Sequence, residues 1–146
     1  MNTSELRRRV AALSLWFSAL VAQAVIGYVV APVLFTQLDK KTAGHIAGIL
    51  LNGVEISAVV LVVAGLLLWR QRVVAWLALA FVLLQGVQLL YLNPAMAALK
   101  HAGAAESQQF MMLHGVSHAL YLAGILLLAG LVAMSWRSLA GSAAKA

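Results

Sequence analysis

Ala43-Gly-His-Ile-Ala-Gly-Ile-Leu-Leu-Asn-Gly-Val-Glu55 lies inside a long apolar run, yet it carries His45, Asn52 and Glu55. At about 100° per residue on a helix, those three and Gly44 and Gly48 fall within an arc of roughly 100°. One face of the stretch is therefore polar and small, and the rest is Ile, Leu and Val. A face that carries an acid is not expected in hydrocarbon, where a charge is costly. It is expected to point at other helices or at a cavity. The stretch thus predicts an all-α protein, a bundle of membrane helices packed around this face.

Composition sets the same class. The chain has 146 residues, 64% hydrophobic and 10% charged, with a mean hydropathy of +0.96. A soluble domain carries about 25% charged residues. The length suits a single integral membrane domain over residues 1–146. There is no cysteine, which excludes a disulfide, a thiolate metal site and a catalytic thiol. The net charge of +6 sits between apolar runs, where it sets topology. Nucleic acid is therefore rejected as a partner and the lipid bilayer is expected.

Outward from the opening stretch, four spans are predicted. The first covers 10–35, after a polar tail ending in Arg7, Arg8 and Arg9. Those arginines, the apolar run and Ala22-Gln23-Ala24 could mark a cleaved signal peptide. The run continues to Phe35, more than the roughly 20 residues a span needs, so a retained helix is preferred. Pro32 is expected to loosen its last turns. The second helix covers 43–69, with Thr42 as N-cap. The third covers 73–92 and stops at Asn93-Pro94. A short interfacial helix from Pro94 to Ala102 follows, with Gly103 as its stop. The fourth covers 108–136, capped by Ser107, and a mobile tail is expected from Arg137. No long internal repeat is expected.

Charge then orients the bundle. The N-tail, the Arg70–Arg72 loop and the C-tail carry Arg7, Arg8, Arg9, Arg70, Arg72, Arg137 and Lys145. The other side carries Lys40, Lys41 and Lys100. The positive-inside rule places both termini in the cytoplasm of a bacterial inner membrane. Trp69, Trp76 and Trp136 fall near the cytoplasmic ends, where indoles favour the interface.

Each helix adds polar groups to one slab, from the midplane outward. Glu55 and Asn52 come from the second, Gln23 from the first, and Gln85 and Gln88 from the third. The fourth adds His114, Ser117, His118 and Tyr121 at i, i+3, i+4 and i+7. The inner half is almost wholly apolar. This asymmetry predicts a polar pocket opening outward that binds or passes a small ligand or cation. Its lining is Glu55, Asn52, Gln23, Gln85, Gln88, Ser117 and Tyr121, with no catalytic residue assigned. Each has a plainer reading. Amides serve as interhelical glue, Ser117 bonds its own helix, Tyr121 packs, and Gly44 and Gly48 let helices approach. Glu55 differs, because an intramembrane acid is a functional candidate by default. Its expected partners are His118, Gln85, Gln88 and Gln23.

Three elements form an ordered set: Gly27-Tyr-Val-Val-Ala-Pro-Val-Leu-Phe35, Ala43-Gly-His-Ile-Ala-Gly48 and Phe110-Met-Met-Leu-His-Gly-Val-Ser117. With Asn93-Pro94-x-Met-x-Ala-Leu99, they resemble a bacterial domain-of-unknown-function family of small four-helix membrane proteins. That family is similar to the eukaryotic transmembrane protein linked to cisplatin resistance. The layout is more distantly like membrane families of copper import and haem-dependent porphyrinogen oxidation. The resemblance implies four helices and an inner-membrane location, and it supplies no activity. His114 and Ser117 match the family's motif, whereas His45 and Glu55 depart from it.

A second class is a redox protein holding haem b or a transition metal. Haem needs two axial side chains at matched depth, which His45 and His114 supply by residue count. His45, His114 and His118 are the candidate metal ligands. Zinc hydrolase chemistry is weaker, since position 115 is Gly where the HExxH motif needs Glu. A homodimer through the glycine-bearing face is a further expectation.

Overall fold

The computed structural model describes residues 2–69 and 71–143, without the side chains of 142 and 143. Arg70 and Lys145, two of the basic residues used for topology, lie outside the described residues. Among the described residues every regular element is helical. α1 (Thr3–Val25) runs through a π turn, Ile26–Val30, into α2 (Ala31–Gln37). α3 is Lys40–Leu68. α4 (Arg72–Val87) runs through a second π turn, Gln88–Leu92, into α5 (Asn93–His101). α6 is Gln108–Ala143.

These make four spans long and apolar enough to cross a bilayer: Thr3–Gln37, Lys40–Leu68, Arg72–His101 and Gln108–Gly141. The protein is a multi-pass membrane protein. Span 1 packs against spans 2 and 4, and span 3 against the same two. The outer surface is apolar, with Leu67 77%, Leu90 84% and Trp76 69% exposed. Such side chains belong against lipid tails, where burial in protein would gain little.

Several boundaries differ from the sequence reading. Span 1 begins at Thr3, not Val10, because Asn2 caps it by accepting from Glu5 N–H at 2.8 Å. The N-cap of α3 is Asp39, not Thr42. Asp39 Oδ1 accepts from Lys41 N–H at 3.1 Å and Thr42 N–H at 3.0 Å, satisfying donors that a helix start leaves open. Residues 137–143 continue α6 instead of leaving it, and the rest of the expected mobile tail lies outside the described residues.

Span 3 does not stop at Asn93-Pro94, and Asn93–His101 continues it instead of standing as a separate helix. Proline lacks an N–H and its ring presses on the carbonyl four residues back. The widened turn just upstream, with Asn93 N–H bonded to Gln88 O, absorbs both effects. Ala31-Pro32 follows the first π turn in the same way. The helix ends as expected at Gly103, with φ +74°. There Gly103 N–H reaches Lys100 O at 3.1 Å and Ala104 N–H reaches Leu99 O at 2.9 Å. Ser107 caps α6 through Phe110 N–H at 3.2 Å, also as expected.

A repeat is visible in the register of burial. α1 buries Ala12, Trp16, Ala19 and Gln23. α4 buries Val74, Ala78, Phe81 and Gln85, each 62 positions later. The π turns and the prolines Pro32 and Pro94 keep the same offset. Only glutamine and proline are shared in identity at these positions, so residue identity alone hides the repeat.

The half of the bundle nearer the N-terminus is closed by an apolar core of Trp16, Val62, Trp69, Phe81, Leu128 and Leu131. Gly65 lets Trp16 in: a Cβ there would lie 2.2 Å from Trp16 Nε1. That nitrogen donates to Val62 O at 3.2 Å. Trp69 stands 5.6 Å from Trp16 and carries the Arg9 guanidinium on its face at 5.2 Å. Trp69 is therefore a core residue and not an interface anchor, whereas Trp76 and Trp136 are exposed.

Candidate functional site: a buried carboxyl among amides

The polar face of α3 is divided by the bundle. The buried stripe is Ala43, Ala47, Val54, Glu55, Ala58, Val62 and Gly65. Glu55 lies at its edge, 1% exposed. His45, Gly48 and Asn52 fall on the exposed side. The sequence predicts that all of them face other helices or a cavity. Small residues decide the outcome, because alanines bring backbones together more closely than an arc bearing Asn and His can.

Glu55 Oε2 accepts from Asn93 Nδ2 at 2.8 Å, and the same nitrogen reaches Asn52 Oδ1 at 3.1 Å. Gln88 lies beside the same carboxyl group. Of the four partners expected for Glu55, only Gln88 stands there, and the main one, Asn93, was read as a helix stop. In an α-helix, residues five apart stand roughly 140° apart. The π turn, with its i→i+5 bonding, brings Gln88 and Asn93 toward one face.

Gln88 Nε2 also donates to Ser117 Oγ, and to Ser117 O at 3.4 Å. Ser117 thus ties span 4 to span 3. One turn further along span 4, the Tyr121 hydroxyl donates to Gln23 O at 2.7 Å. That carbonyl stands where the ladder of span 1 changes register, since Ile26 N–H is shared between Ala22 O and Gln23 O. Gly27 makes room for the ring: a Cβ there would lie 2.4 Å from Tyr121 Cε1. Gln23 and Gln85 are fully buried, and neither end of either amide has a partner, nor has Gln88 Oε1.

The histidines lie apart from this column. His45, His114 and His118 are exposed. His114 stacks on Phe110 at 5.9 Å, and His118 meets the edge of Tyr28 at 6.0 Å. Among the described residues no three His, Cys, Asp or Glu side chains gather as a metal site would require. The proposed trio is not brought together, because His45 is rotated off the buried stripe of α3. At the rim, Lys100 Nζ lies over Phe110 at 5.7 Å and reaches Gly44 O at 3.5 Å. Lys40 and Glu106 pair at 3.6 Å, both exposed.

No curated protein and no solved structure matches the chain. A family model does match, over residues 11–105, which include Glu55, Gln23, Gln85, Gln88 and Asn93. The chain belongs to the domain of unknown function family DUF4149.

Proposed function

We propose that the outer half of the bundle is a polar seat, facing the extracytoplasmic side, that binds or passes a small ligand or cation through Glu55. One observation carries this reading. The carboxyl lies midway along span 2, is 1% exposed, and has neutral amides as its hydrogen-bond partners. An ionised carboxylate in that position is costly unless a cation, a proton included, accompanies it. The amides and hydroxyls gathered there orient and solvate, which suits a binder or passage and not an enzyme. Both termini then lie in the cytoplasm, and Asn93–His101 reaches the outer interface. The haem or metal alternative rests on His45, His114 and His118, which stand on exposed faces.

Thermal midpoints in detergent test the reading, over a panel of pH, Na⁺, K⁺, Mg²⁺, Zn²⁺ and an amphipathic amine. At least one of these should shift the wild type and leave Glu55→Gln unmoved, with equal helicity in both proteins. Identical responses across the whole panel would reduce Glu55 to a structural hydrogen bond.

A further inference from the structure

Beneath Glu55 lies a layer that its hydrogen bonds do not use. Gln23 and Gln85 occupy equivalent positions on spans 1 and 3, 62 residues apart, and both are fully buried. Both ends of each amide lack a partner, and so does Gln88 Oε1. Gly124 of span 4 packs against the same layer. The place its Cβ would take is 3.9 Å from Gln23 Oε1 and 3.6 Å from both Phe81 and Leu84 of span 3. Below this layer comes the apolar core of Trp16, Phe81 and Leu128.

Buried amides in a native protein are satisfied, and when protein atoms do not satisfy them, water does. The orphaned atoms include donors as well as acceptors. A metal cation would satisfy the oxygens and repel the N–H groups. Water satisfies both. We infer that Gln23, Gln85 and Gln88 hold a cluster of internal water beneath Glu55, and that the small cation of this seat is a proton. The inference rests on the reading of Glu55 as a binding group.

In this arrangement the Glu55 O–H gives its proton to an adjacent water, which passes it outward, and the carboxylate left behind is hydrated by the cluster. The return step reverses it. Span 3 faces Glu55 with neutral Asn93 and Gln88, and span 4 with Tyr121, the titratable neighbour, which itself meets Tyr28. The apolar core closes the cytoplasmic side, so the exchange is with the outer side.

Infrared difference spectroscopy on the full chain in lipid nanodiscs tests this. Glu55→Gln identifies the Glu55 carboxyl band. In the wild type that band should titrate with bath pH. O–H stretches that shift in H₂¹⁸O should accompany it. Gln85→Met and Gln23→Met should each remove part of those water bands. A wild type with no ¹⁸O-sensitive bands overturns the water cluster, whatever the variants do. A Glu55 band that responds to Na⁺ or K⁺ at fixed pH, and not to pH, overturns the proton and leaves Glu55 as a cation site. A band indifferent to both removes the binding reading as well.

Discussion

Gly65 and Gly48 lie on one helix and have opposite surroundings. A methyl group at Gly65 would meet the Trp16 ring at 2.2 Å, whereas nothing stands within 4 Å of the same position at Gly48. Tryptophan is rigid and its N–H is engaged with Val62, so the ring has nowhere cheap to go. Gly65→Ala should therefore destabilise the fold by about 1–3 kcal/mol. Gly48→Ala should be neutral or slightly stabilising, by up to about 1 kcal/mol, through helix propensity. Thermal midpoints of the two variants measured side by side check this, and an equal loss in both would contradict it. The sequence made Gly44 and Gly48 conspicuous through their spacing. It could not show that Gly65 is the close contact, because that depends on which side chain of span 1 arrives opposite. Asn93 was hidden for a similar reason. Beside Pro94 it looks like a stop, and it becomes a partner of Glu55 once the π turn rotates it. By contrast, the burial of Gln23, Gln85, Gln88 and Ser117 is legible, since polar side chains in apolar runs turn toward protein.

At the scale of elements, the start of α3 carries a pH dependence. Hydrogen bonds from the Thr42 side chain, and then from the Thr42 and Lys41 backbone N–H groups, hold the Asp39 carboxyl below its ordinary value of 3.8. A lowered folded pKa means that the charged cap stabilises the native state fully above that ordinary value. The contribution is lost as pH falls through the lower folded value. Between roughly pH 6 and pH 3, the wild type should lose more thermal stability than Asp39→Asn, which still caps but does not titrate in this range. Parallel pH profiles for the two proteins would show that the cap is not coupled to the fold. The existence of the four helices was legible, because apolar runs bounded by basic or turn residues leave little choice. Their ends were less so. Span 1 extends back past the start of its apolar run to its cap at Asn2, and span 3 passes through a proline that normally marks a boundary.

For the whole molecule, seven basic residues against three predict that both termini lie in the cytoplasm. Reporter fusions at Gln37 and Ala104 should report the outer side, and those after Arg72 and at the C-terminus the cytoplasm. The reverse pattern would turn the polar half of the bundle to the inside. An N-terminus beginning after Ala24 in the purified protein would remove Trp16 and Gln23, and with them one wall of the core.

The 62-residue correspondence between spans 1 and 3 has a mechanical meaning. Spans 1 and 3 enter the bilayer from the same face, so these two are related by an axis along the membrane normal. Carriers built from inverted halves can exchange an outward-open shape for an inward-open one by letting each half adopt the other's conformation. Halves that run the same way cannot reverse their opening by that exchange, because swapping them returns the same bundle. The polar column therefore gains no mirror image at the end of the bundle that holds Trp16. A solute would reach that side only if the packing of Trp16, Phe81 and Leu128 itself gave way.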